Sequence, residues 1–183
     1  LGDVYKRQVG IIGVGNRLMG DDGLGSYLAQ ALQGNVEGAE VIDLGSAGVG
    51  AVDYLKEFDV VVILDAVAVD QEGVYVAEEN VDERDPDQLT STVLDFELSG
   101  SHGLGIQSTL LVLKLMGYSP KVFIIGYRPY VVEPMAKISE RLKEKVPQIL
   151  DKLQEVLEPY NVKVNKEAAL RAFQEVISSD RPL

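Results

Sequence analysis

The sequence predicts an α/β fold built on a parallel sheet, and three observations carry that prediction. Short Val- and Ile-rich runs alternate with helical patterns along the whole chain. One run, Val60-Val61-Val62-Ile63-Leu64, is apolar at every position, as a strand covered on both faces must be. The length, 183 residues, suits one domain with a full core.

The elements follow in order. Val9–Val14 reads as the first strand, and Asp22–Gln33 as a helix whose stripe is Leu24, Leu28, Ala31 and Leu32. Glu40–Leu44 is the second strand. Val49–Phe58 is a short helix that turns Val52, Leu55 and Phe58 inward, and it leads into Val60–Leu64. Gln71-Glu72-Gly73 is a turn signal, so Val74–Ala77 is expected to pair antiparallel with a neighbour. The stretch Glu78–Gly103 is polar and weakly periodic, a long loop of the kind that carries function. Leu104–Met116 is a helix carrying Leu110, Leu111, Leu113 and Leu115, and Gly117 stops it. Lys121–Gly126 is the last strand. Glu133–Leu157 reads as a long amphipathic helix starting at Pro134, with a kink or break near Val146 imposed by Pro147.

Three domain segments result. Leu1–Gln8 reads as a foreign leader, because Asp3–Gln8 looks like a translated sequencing-library adapter. Residues 9–160 are the folded domain, and 161–183 form a charged peripheral tail with one weak helical stretch, Lys166–Ile177.

Composition removes several functions. With 17 basic and 29 acidic residues the formal charge is −12, which repels phosphate backbones and argues against nucleic-acid binding. The absence of cysteine excludes thiol catalysis, thiolate metal sites and disulfides. No apolar run approaches the roughly 18 residues of a membrane span, and no signal-peptide pattern opens the chain. The expectation is a soluble cytoplasmic protein. A single histidine rules out the two-histidine zinc-protease motif, and neither a pepsin-like Asp-Thr-Gly nor a Gly-x-Ser-x-Gly elbow is present.

Three places remain where chemistry could sit. The glycine-rich turn Gly13–Gly25 follows a strand and opens a helix, a context suited to phosphate, but Leu18 replaces a required glycine and Asp21 and Asp22 repel an anion. One of these two aspartates is expected to cap the helix, leaving the other to face a cleft. Asp65 closes the most buried strand, at the edge where parallel sheets bind ligands. His102 stands between a polar loop and a helix. An imidazole and two carboxylates at such positions would suit a borderline-soft divalent metal.

The run Gly13-Val-Gly-Asn-Arg-Leu-Met-Gly-Asp-Asp-Gly-Leu-Gly25 resembles the N-terminal signature of the [NiFe] hydrogenase maturation endopeptidases. The likeness continues, in order and spacing, through Ile42–Ser46, Val62–Ala66, Ser101-His102-Gly103 and Ile124–Pro129. It implies a three-layer, phosphorylase/hydrolase-like sandwich with a twisted, mostly parallel central sheet. The activity implied is an aspartic-type endopeptidase that removes the C-terminal extension of a hydrogenase large-subunit precursor after nickel insertion. The family's metal-contacting positions fall on Asp22, Asp65 and His102, with Asp22 and Asp65 catalytic. Nickel would be supplied by the substrate rather than kept as a resident cofactor. Asp43 would lie near the same cleft, although Leu44 stands where the family usually has glycine. Two alternatives stand beside this reading: a nucleotide-binding α/β module and a non-proteolytic nickel assembly factor.

Overall fold

Four parallel strands and one antiparallel edge strand form the central sheet, with helices on both faces. The computed structural model describes residues 8–46, 52–80 and 103–179. Strands β1 (Val9–Val14), β3 (Glu40–Gly45), β4 (Val60–Ala66), β5 (Val74–Asn80) and β6 (Lys121–Tyr127) lie in the order β3-β1-β4-β6-β5. β1 pairs in parallel with β3 and β4, and β4 with β6, while β5 runs antiparallel to β6 as the turn before it predicts. β1 and β4 are buried at every position, which is why their sequences are apolar without alternation.

Each face has its own core. On one face, α1 (Leu24–Leu32) and α5 (Val146–Leu157) pack on Val9, Ile11, Val60, Val62 and Leu64. On the other, α2 (Val52–Leu55) and α3 (Gly103–Leu115) pack on Ile12, Val61 and Ile63 through Val52, Leu55, Leu110 and Leu113. Leu115, expected on the same stripe, is exposed, because it lies two residues past Leu113 and so about 200° further round the helix. Gly117 ends that helix at φ 89°.

Two expectations need correction. Residues 133–139 are not helical. Ser139 caps the single turn α4 (Glu140–Lys143), its Oγ accepting from the Leu142 amide at 3.2 Å. Pro147 then occupies the first turn of α5, where proline is tolerated, so the predicted break near Val146 is real but the helix starts much later. The second correction concerns the tail. β7 (Lys163–Val164) pairs with β2 (Val36–Glu37), and α6 (Lys166–Ser179) packs on α1. Ala169 and Phe173 are buried in the main core, so this segment is a working part of the fold and not a peripheral appendage.

Residues 1–7, 47–51, 81–102 and 180–183 lie outside the described residues, and with them positions 49–51 of the predicted second helix and most of the predicted loop Glu78–Gly103. Among the described residues no helix is long and apolar enough to cross a membrane.

Candidate active site

The first link is the glycine-rich turn. Its glycines serve close packing inside the chain: a Cβ on Gly13 would strike the carbonyl oxygen of Gly25, and one on Gly25 would strike those of Val14 and Leu64. The start of α1 therefore rests directly on the carboxyl ends of β1 and β4, which no residue with a side chain would permit. The turn itself closes as a 3-10 turn, Gly20–Gly23, so the α-helix begins at Leu24 rather than at Asp22.

Neither aspartate caps the helix. Gly23 is the N-cap and makes no side-chain bond. Asp21 is fully buried and turns towards residues 130–139, accepting hydrogen bonds from Tyr130, Val131 and Ser139. Asp22 is 5% exposed, and its Oδ2 accepts from the Asn16 amide at 3.0 Å. The expectation that one of the two caps the helix is therefore overturned: Asp21 is spent on residues 130–139 instead.

Asp65 lies within β4, opposite Gly126 of β6, and is 3% exposed. By strand alternation it points to the face of Val61 and Ile63, the face that α2 and α3 cover. The buried phenol of Tyr127 lies against the main chain at Asp22 and Gly25. Its Oη donates to the Asp22 carbonyl oxygen at 3.1 Å and accepts from the Gly25 amide at 3.2 Å. Burial pushes this phenol well above the ordinary value of 10, and the negative charges of Asp65, Asp22 and Asp21 push the same way, against the Gly25 amide.

Tyr127 therefore stays protonated, and its removal has a predictable signature. Tyr127→Phe leaves the Asp22 carbonyl and Gly25 amide buried without that partner, lowering stability by about 1–3 kcal/mol. Folding raises the phenol's pKa, so the folded chain holds this proton more tightly. The wild-type advantage is complete below pH 10 and shrinks as pH rises through the folded-state value above it. Paired denaturant titrations of the two proteins across that range would check both the size and the sign.

Asp43 reaches the same end of the sheet, in register with Gly13, but faces α1. Its Oδ1 accepts from Ser26 Oγ at 2.8 Å and from the Gly45 amide at 2.9 Å, and its Oδ2 from Arg17 Nη2 at 3.2 Å. The Arg17 guanidinium lies 4.3 Å over the Tyr27 ring and its Nε donates to Ser26 Oγ at 2.8 Å. Asp43 and Asp65 thus share the carboxyl end of the sheet but lie on opposite faces of it.

His102 lies outside the described residues. Among the described residues no three His, Cys, Asp or Glu side chains gather as a metal cluster. Sequence reasoning missed the part played by Tyr127; its signal was a tyrosine closing the apolar strand β6, paired with Ala66 next to Asp65.

Comparison with known proteins agrees with this architecture. The family model for hydrogenase maturation protease matches residues 26–156. The chain is 26% identical over 157 residues to the hydrogenase expression/formation protein HupD of Thiocapsa roseopersicina, covering 83% of this chain and 68% of that one. It is 24% identical over 147 residues to the hydrogenase 2 maturation protease of Escherichia coli (strain K12), covering 78% and 86%. The structure of the hydrogenase maturating endopeptidase HybD from E. coli superposes with a TM-score of 0.70 at 22% identity, covering 85% of this chain and 95% of that one. The chain belongs to the hydrogenase maturation protease family and is a processing endopeptidase of hydrogenase.

Proposed function

We propose that the protein removes a C-terminal extension from the large-subunit precursor of a [NiFe] hydrogenase once nickel has been inserted. In this reading Asp22, Asp65 and His102 engage a nickel ion that the substrate's cysteines already hold. The metal arrives with the substrate and acts as a recognition element. Its engagement places the scissile peptide against the two aspartates, and orientation of that kind supplies much of the rate. A peptide lacking nickel docks out of register. Hydrolysis uses water activated at that carboxylate–metal centre.

The observation that carries the proposal is the delivery of two nearly buried carboxylates, Asp22 and Asp65, to the carboxyl edge of one sheet from separate segments. Parallel sheets bind ligands at this edge. α3 packs on the face to which Asp65 points, and it ends at Leu115, just before β6 enters at the opposite edge of the sheet. Its 13 residues span about 20 Å, so it starts near the carboxyl edge.

Incubation of nickel-loaded and nickel-free precursor with the wild type and with Asp22→Ala tests this directly. One small C-terminal fragment should leave the loaded precursor alone, and Asp22→Ala should slow its release at least about 10²-fold. Undiminished cleavage by the variant would remove Asp22 from the site. Equal cleavage of both precursors would remove nickel recognition.

A further inference from the structure

We infer that Asp21 is a positioning residue of the peptidase, whose carboxylate clasps residues 130–139 and thereby fixes the turn from which Asp22 projects. The catalytic half of this inference rests on the assignment of Asp22 proposed above; the mechanical half does not.

Asp21 is 0% exposed, yet it does not cap α1, and it makes no ion pair among the described residues. Its Oδ2 accepts from the Tyr130 amide at 2.9 Å, the Val131 amide at 3.0 Å and Ser139 Oγ at 2.8 Å. Its Oδ1 accepts from the Ser139 amide at 2.7 Å. Four part-buried donors from one segment converge on one side chain, and each would lose that partner without it.

The clasp is reinforced from the main chain. The Asp21 amide donates to the Val131 carbonyl at 2.8 Å, and the Met135 amide donates to the Leu18 carbonyl at 2.7 Å. Gly20, at φ 61°, lies so close to the Val131 carbonyl that a Cβ there would collide with it. Ser139 is also the cap of α4, so the clasp joins the glycine-rich turn to the α4–α5 layer.

The consequence for the site follows from connectivity. Asp22 is the next residue, and its carboxylate is set against the Asn16 amide within the same turn. Slackening the clasp lets residues 16–23 drift while β1, β4 and β6 stay paired, because none of those strands depends on Asp21. Misplacement by about 1 Å can lower a rate about 10²-fold.

The test pairs amide exchange with cleavage kinetics in Asp21→Asn and Ser139→Ala. Asparagine keeps the shape but sets an amide donor against donors. Serine-to-alanine leaves three of the four bonds, so it stays informative should the first variant fail to fold. In Asp21→Asn the Asn16 amide should exchange at least about tenfold faster while Val62 and Ile63 in β4 keep wild-type rates, and kcat/KM should fall by about 10²-fold. Ser139→Ala should shift both readouts the same way by less. Unchanged Asn16 exchange would overturn the inference. So would Asn16 and the β4 amides speeding up together, with cleavage falling only as the folded fraction falls, because that is what a merely structural residue does. Asp22→Ala in the same series separates the two readings. If it cleaves normally, the site assignment fails, and the Asn16 amide still decides whether Asp21 holds the turn.

Discussion

Asp65→Asn is expected to slow precursor processing by about 10²- to 10⁴-fold without lowering the melting temperature. The two halves have different causes. Asparagine is close to aspartate in volume and keeps the pairing of β4 with β6 around Gly126, so the strand has no reason to move. What disappears is a negative charge that is 3% exposed, in a region where Asp22 and Asp21 also act on the Tyr127 phenol. Gathered like charges oppose one another, and neutralising one of them relieves both repulsion and desolvation. Cleavage of nickel-loaded precursor and thermal unfolding, measured on one preparation, check both halves. A variant that melts well below the wild type would make Asp65 a structural residue, and one that processes normally would remove it from the site.

The comparison of sequence with structure divides along the reach of local patterns. Strands β1 and β4 were legible because burial on both faces writes itself as an unbroken apolar run, and the antiparallel edge strand was legible through Gly73. The position of Asp65 near the carboxyl end of β4 was legible for the same reason, because it follows directly on such a run. The role of Asp21 was not, since its partners lie more than a hundred residues away and a helix cap is the local explanation for an aspartate in that position. The start of the late helix was misread for a related reason. Pro134 is a good first-turn residue, but residues 130–139 are held in a non-helical path by hydrogen bonds to Asp21 and Leu18, which no local propensity encodes. Asp43 matched the resemblance in position, whereas its orientation towards Arg17 and Ser26 depends on which face of the sheet α1 covers.

Phe173→Ala should destabilise the protein by about 3–5 kcal/mol and lower its melting temperature by about 6–20 °C. Phe173 is 3% exposed and Ala169 1% exposed, and the two lie one turn apart on the face of α6 that packs against α1. The need for that cover is written in α1 itself. Eight of its nine residues, all but Gln30, are buried, so the sheet can shield only one side and another element must shield the other. α6 does this, anchored at its start by the Asn165 amide donating to the Asn35 carbonyl at 2.9 Å and by the pairing of Val164 with Val36. The charged residues that made the segment read as a tail occupy the solvent side of the same helix; Glu175 is one, and Glu175→Ala should change stability by no more than about 0.5 kcal/mol. Because α1 begins at the turn that carries Asp22, loss of its outer cover should also reach the site, as cleavage that fades at temperatures where the wild type still works. Denaturant unfolding of the two variants separates the alternatives: equal small effects would return residues 166–179 to the status of an appendage, and a large loss confined to Phe173→Ala would establish α6 as the outer wall of the helix that begins at the active site.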